Sequence, residues 1–347
     1  MAGKFKSLIV LALLAITVVV GWNWWHHIRI HGETEPLEFS SGDGTVLVGE
    51  LRLPAGPGPH PAVVLVHGSG PGELSEIDNQ YNSNAFLKKG LAVLAYDKRG
   101  AGRSSGDFDT ATYADFAEDL LAGVRALRAR AEIDDDNIGL FAVSEGAWFA
   151  PEVAVRDGRI RFVITKSGPP LVAHEVYRWE MRNDLIASGF DDETMIDELL
   201  GARTEVWSYY RAAAAVDDPL PGRRADVQAR LDALDARVHE VSSISLADFD
   251  REKYQRWVTD IYYDPAPWLF KMDVPMLAVF GSDDQNVPTD AAVSALTHLR
   301  EAAGKDIEIR IYPGRDHYFF RWYNVLTVGM PSGYFGLVGD WAAERVD

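Results

Sequence analysis

Five short polar clusters each follow directly on an apolar run. They are His67-Gly68-Ser69-Gly70, Asp97-Lys98-Arg99-Gly100, Ser144-Glu145-Gly146, Asp283-Asp284 and Gly314-Arg315-Asp316-His317. Among them a serine, an acid and a histidine occur in that chain order. A serine hydroxyl is a poor nucleophile until a neighbouring base removes its proton during attack, and an imidazole oriented by a carboxylate serves as that base. The clearest local pattern is Ala142-Val143-Ser144-Glu145-Gly146. A tight strand-to-helix turn that exposes a nucleophile needs small residues two before and two after it. Gly146 meets the requirement, and Ala142 departs from the usual glycine by one methyl group. The plainer reading of the same residues is a serine capping a helix after a strand.

These clusters need a scaffold that brings them together. Leu37–Phe39 and Thr45–Leu53 read as alternating strands around the Ser41-Gly42-Asp43-Gly44 turn, a hairpin. Ala62–Val66, Leu91–Tyr96, Ile138–Val143, Ile160–Thr165, Pro275–Phe280 and Ile307–Tyr312 are continuous apolar runs, as expected of strands buried on both faces. Helical patterns at Asn84–Lys89, Tyr113–Arg130, Ala291–Ala302 and Tyr334–Val346 separate or follow them. Such alternation predicts an α/β fold, a mostly parallel central sheet flanked by helices. Ligands of such sheets bind beyond the carboxyl ends of the strands, where all five clusters fall. From Leu171 to about Asp264 the alternation stops, and Val176–Ile186, Asp191–Ala215, Ala225–Val241 and Leu246–Tyr263 read as helices. This block, 171–264, is expected to be a helical cap inserted into a core formed by 36–170 and 265–347. Its aromatics (Tyr177, Trp179, Trp207, Tyr209, Tyr210, Trp257, Tyr262 and Tyr263) are expected mainly to form the cap's own core, with the lining of an apolar pocket as the alternative.

The chain resembles the α/β-hydrolase superfamily, in particular its serine esterase and serine-aminopeptidase-like group, with EstD-type esterases the nearest in kind. The residues carrying the likeness are His67 to Gly72, Tyr96 to Ser104, Val143 to Gly146, Gly281 to Pro288 and Gly314 to His317. By that resemblance Ser144 is the nucleophile, His317 the base and Asp284, in the Gly-x-x-Asp-x-x-Val-Pro pattern, the orienting acid; Asp283 stays open as its alternative. Of the other histidines, only His67 also ends a strand, where it resembles the residue preceding the oxyanion loop. The oxyanion donors are expected to be the backbone N–H of Glu145 and that of Ser69, with Gly70 as the alternative for the second. Arg99 and Arg103 are expected to brace their loop. The implied activity is cleavage of a small carboxylic ester through an acyl-enzyme, with no metal or organic cofactor. The same machinery serves a peptidase or a thioesterase. A membrane-tethered binding protein that keeps the fold without turnover is the rival from another class.

Composition narrows the field further. The 347 residues carry 34 basic and 52 acidic side chains, a formal charge of −18. That balance argues against nucleic acid as a partner, because phosphate binding needs a basic face. With no cysteine, thiolate zinc sites, disulfides and cysteine nucleophiles are excluded together. Lys4 and Lys6 precede the apolar run Leu8–Val20, which Trp22, Trp24 and Trp25 follow. No small-residue cleavage site intervenes, so residues 1–31 are expected to be an uncleaved membrane signal-anchor and linker. A cleaved signal peptide is one alternative, and a buried helix of a cytosolic protein the other; the anchor and the signal peptide place the catalytic part outside the cytoplasm. His26, His27 and His31 are expected to belong to that linker rather than to bind metal.

Overall fold

A computed structural model describes residues 2–216, 229, 233, 259–324 and 326–346. Its centre is an 8-stranded sheet in the order β1-β2-β4-β3-β5-β6-β7-β8. The strands are β1 (Glu33–Ser40), β2 (Val46–Leu53), β3 (His60–Val66), β4 (Ala92–Tyr96), β5 (Ile133–Val143), β6 (Ile160–Lys166), β7 (Met276–Gly281) and β8 (Ile307–Tyr312). β1 pairs antiparallel with β2, and β2 antiparallel with β4; every other pair is parallel.

Burial follows the apolar patterning. β4 and β7 are buried along their whole length, whereas β1 at the edge alternates and is mostly open. One face of the sheet packs Val64, Leu94, Leu140 and Phe280 against α3 (Tyr113–Arg128) and α4 (Gly146–Asp157). The other packs Leu65, Val93, Phe141 and Val279 against α2 (Ile77–Leu87) and α9 (Tyr334–Ala343). Burying each such Val, Leu or Phe is worth about 1.5–3 kcal/mol. α3 begins with a reciprocal cap, in which Thr112 and Asp115 satisfy each other's backbone N–H groups. Between β6 and β7 the chain forms α5 (Ala173–Ala187), α6 (Glu193–Val216) and the short α7 (Ala266–Lys271); α8 (Thr289–Ala303) joins β7 to β8. Apart from residues 229, 233 and 259–263, the predicted helices Ala225–Val241 and Leu246–Tyr263, and with them His239 and Trp257, lie outside the described residues.

The chain steps from β3 outward to β4, then crosses back over β3 to β5. The carboxyl ends of β3 and β5 therefore lie side by side at the reversal of strand order, where a crevice opens in sheets of this kind.

The N-terminal expectation needs correction. Ala2–Asn23 forms a helix, α1, and Trp24–Ile28 continues it as a wider π-type turn. Among the described residues, however, no helix is long and apolar enough to cross a membrane, so the expected anchor is not supported. The segment expected to be an open linker is instead held by the core. The Asn84 side-chain amide donates to the carbonyls of His27 and Arg29 and accepts from the His31 N–H. His27 meets the Leu326 carbonyl and packs on Phe335, while the Asn23 side chain accepts from the Val328 N–H. His31 likewise contacts a backbone carbonyl, that of Trp25, and the His26 ring packs on Trp22.

Candidate active site

Ser144 directly follows β5 with φ +48°, a left-handed backbone conformation that a serine adopts only under constraint. Its N–H donates to the Lys166 carbonyl on β6, and its carbonyl opens α4 by accepting from Ala147. Such a turn tolerates no bulk around it. A methyl on Gly146 would lie 2.7 Å from the His67 carbonyl, and one on Gly168 would lie 2.3 Å from the Ala147 methyl. Ala142 is fully buried in the sheet and the turn forms despite it.

From this turn the Ser144 hydroxyl meets His317 Nε2 at 2.9 Å. His317 Nδ1 lies 2.9 and 3.1 Å from the two carboxylate oxygens of Asp284. With a carboxylate at Nδ1, the proton belongs there, leaving Nε2 to accept from the hydroxyl. Asp284 is itself fixed, because its Oδ1 accepts the N–H groups of Asn286 and Val287 at 2.8 Å each. Its neighbour Asp283 points outward and accepts from the Ser282 hydroxyl. Asp316 pairs with Arg321. Of these three acids, the structure brings only Asp284 to the imidazole.

His67 is buried and meets the Tyr96 carbonyl through Nε2 at 2.5 Å. Burial pushes its pKa below the ordinary histidine value, so it stays neutral and donates that N–H. It is a wall of the loop, not a rival base. Ser69 and Glu145 line the same cavity as Ser144, so the two expected oxyanion segments converge there. Arg99 forms a bidentate pair with Asp119 and reaches Asp43, which makes it a brace; Arg103 lies 3.6 Å from Asp97.

Two residues that no local pattern singled out complete the arrangement. The Lys98 ammonium donates to the carbonyls of Gly68 and Gly70 and to the Glu145 carboxylate, at 2.9, 3.3 and 2.8 Å. One cation therefore ties the loop after β3 to the start of α4. Ser167, also at positive φ, donates its hydroxyl to the His317 carbonyl at 2.7 Å and so holds the histidine loop against β6. Lys98 stood in the quoted Tyr96-to-Ser104 stretch; Ser167 had only its place directly after an apolar strand as a signal.

The cavity over Ser144 measures about 350 Å³. Trp148, Val176, Tyr177 and Val287 give it one apolar side, with Glu180 of α5 at the rim accepting from Asn286. Burial pushes the Glu180 carboxyl above the ordinary range. Of the cap aromatics, Tyr177 reaches this cavity, Trp207 is buried elsewhere and Tyr263 bonds Glu152. The side chains of Tyr209 and Tyr210 lie outside the described residues.

Comparison with known proteins places this geometry in context. A family model described as X-Pro dipeptidyl-peptidase (S15 family) matches residues 43–318. Esterase EstD of Thermotoga maritima is 34% identical over 132 residues, covering 35% of this chain and 31% of its own. Thiohydrolase aneE of Aspergillus aculeatus is 33% identical over 172 residues, 48% of this chain and 50% of the other. The chain thus aligns with half or less of these relatives' own lengths. A solved Pyrococcus furiosus esterase superposes with a TM-score of 0.57 at 15% identity, covering 92% of this chain and 93% of that one, a likeness of fold.

Proposed function

Since the chain belongs to the X-Pro dipeptidyl-peptidase (S15) family, within the α/β-hydrolases, and is thereby a hydrolase of ester- or peptide-like substrates, we propose that it cleaves carboxylic esters through an acyl-enzyme on Ser144. The observation that carries this reading is the 2.9 Å contact between the Ser144 hydroxyl and His317 Nε2, with Asp284 on the far side of the ring.

As Ser144 Oγ bonds to the ester carbonyl carbon, its proton passes to His317 Nε2 and the carbonyl oxygen becomes an oxyanion. The Ser69 and Glu145 N–H groups stabilise that charge; one such donor typically contributes about 2.7–4 kcal/mol. Asp284 keeps the imidazole in the accepting tautomer and offsets its positive charge. Collapse of the intermediate breaks the C–O bond, and the imidazolium returns its proton to the leaving alcohol. Water, deprotonated by the same imidazole, then releases the acid and restores the hydroxyl. No step draws on a metal or organic cofactor.

In this reading, 36–170 with 265–347 form the hydrolase core and 171–264 the cap, with α5 closing the apolar side of the cavity. A location outside the cytoplasm is proposed from Lys4, Lys6 and the apolar run after them, and cell fractionation tests it.

Labelling of the native protein by a serine-directed fluorophosphonate is the direct test. Wild type is expected to label and to hydrolyse p-nitrophenyl esters; Ser144→Ala is expected to do neither. Normal turnover by that variant would end the assignment. The family match favours one second reading, cleavage of a peptide bond by the same groups. Turnover of aminoacyl amides in preference to matched esters would establish it.

A further inference from the structure

Beside Ser144 lies a charged group that the acyl-transfer steps leave unused. Lys166 is the last residue of β6, and its register partner across the parallel pair is Val143, the residue before the nucleophile. Its side chain lies on the α2 side of the sheet, away from α5, and reaches the wall of the substrate cavity together with Asp78, Tyr81 and Tyr318. Lys166 is only 5% exposed. Among the described residues its ammonium has one hydrogen-bond acceptor, the Tyr318 carbonyl at a long 3.4 Å, and it sits 5.2 Å from the Phe319 ring centre. No carboxylate of the described residues is within ion-pair distance of it. Asp78 in the first turn of α2 is near enough to act on it, but that carboxylate accepts from the Asn79 N–H and has the helix N-terminus to favour it.

We infer that Lys166 is an anion-recognition residue of this cavity, and that the ester substrate carries a carboxylate which the Lys166 ammonium holds on the side of Ser144 away from α5. The inference rests on the ester-cleaving reading of Ser144 and extends it to the class of substrate. A buried ammonium costs several kcal/mol unless its donors are met, and a charged acceptor offsets that cost far better than a neutral carbonyl. Lys98, the other buried lysine at this site, shows the contrast, since its donors are taken by two carbonyls and the Glu145 carboxylate. Burial pushes the Lys166 pKa down to about 8, against the pull of Asp78, Asp284 and Asp316, so the group is mostly charged at pH 7.

Three methyl esters of equal shape test this: monomethyl glutarate, methyl 5-oxohexanoate and methyl 5-methylhexanoate. Wild type is expected to favour the first in kcat/KM. In Lys166→Met, the ratio of anionic to apolar ester is expected to fall about 30-fold, and Lys166→Arg to restore most of it. Calorimetry with glutarate on the Ser144→Ala protein supplies a readout free of turnover, and adding Lys166→Met should weaken that binding by a similar factor. Lys166→Met is also expected to melt no lower than wild type, where a structural lysine would cost stability. An unchanged ratio, an equal loss for all three esters, a preference for the keto ester, or glutarate binding indifferent to Lys166 each overturns the inference and leaves the hydrolase reading standing. If no ester is turned over while glutarate binds through Lys166, the hydrolase reading fails and the anion site survives. If glutarate does not bind either, both fall.

Discussion

At the scale of single residues, adjacent side chains with the same chemistry have opposite fates. Asp284 is locked onto His317 by two backbone amides, while Asp283 faces solvent. Asp284→Asn is expected to lower kcat by about 10⁴, because the amide favours the wrong imidazole tautomer, whereas Asp283→Asn should leave it within about twofold. Steady-state kinetics of the pair checks both. Sequence pattern ranked these two acids but did not decide between them, since the deciding fact is the direction each side chain takes out of one turn. Lys98 and Ser167 were less legible still: their partners lie on other strands, and nothing local records such a distance. Lys98→Met should strand the buried Glu145 carboxylate and cost about 3–5 kcal/mol of stability with a loss of kcat. In the double variant with Glu145→Gln, urea denaturation should show much of the stability regained. His67 adds a dependence on acidity. Its folded-state pKa lies below the unfolded value, so below about pH 6.5 the unfolded chain binds more protons. This contribution is present above that pH and is lost as pH falls toward the folded-state value. Urea melts between pH 7.5 and 5 should show it, with a shallower slope in His67→Gln.

Among the elements, the buried strands stood out in the sequence because a strand covered on both faces needs an unbroken apolar run. Helices were harder to read. α2 begins at Ile77, seven residues before the predicted helix, because Asp78, Asn79, Asn82, Ser83 and Asn84 offer no apolar stripe. That helix is held by polar burial instead: Arg52, 1% exposed, donates to the Ser83 hydroxyl and to the Asn79 carbonyl. α7, only six residues long, is too short to show a period. The strand-to-helix turn at Ser144 makes its own demand on packing. Gly168→Ala sets one methyl against another and should cost about 1–3 kcal/mol, read by chemical denaturation, with kcat falling as the turn shifts.

For the whole molecule, the apolar N-terminus was read as a separate membrane device, and the structure shows where that reading stopped short. Composition does not reveal that Trp24–Ile28 turns back onto α2 and onto the segment after His317. Removing residues 1–23 should leave the melting temperature within a few degrees and lessen self-association, since Leu13, Leu14, Val18 and Trp22 of α1 are exposed. Removing residues 1–31 should lower it by about 4 °C or more, as Asn84 loses three hydrogen bonds. Calorimetric scans of the two truncations check this. The tether between Asn23 and Val328 sits eleven positions beyond the imidazole, while the sheet interior is reached only through many paired strands. A pull applied at the front of the chain therefore arrives first at the segment that carries the base. In a force clamp, turnover should cease at a load the rest of the molecule still withstands, which makes the first helix a mechanical handle on the chemistry.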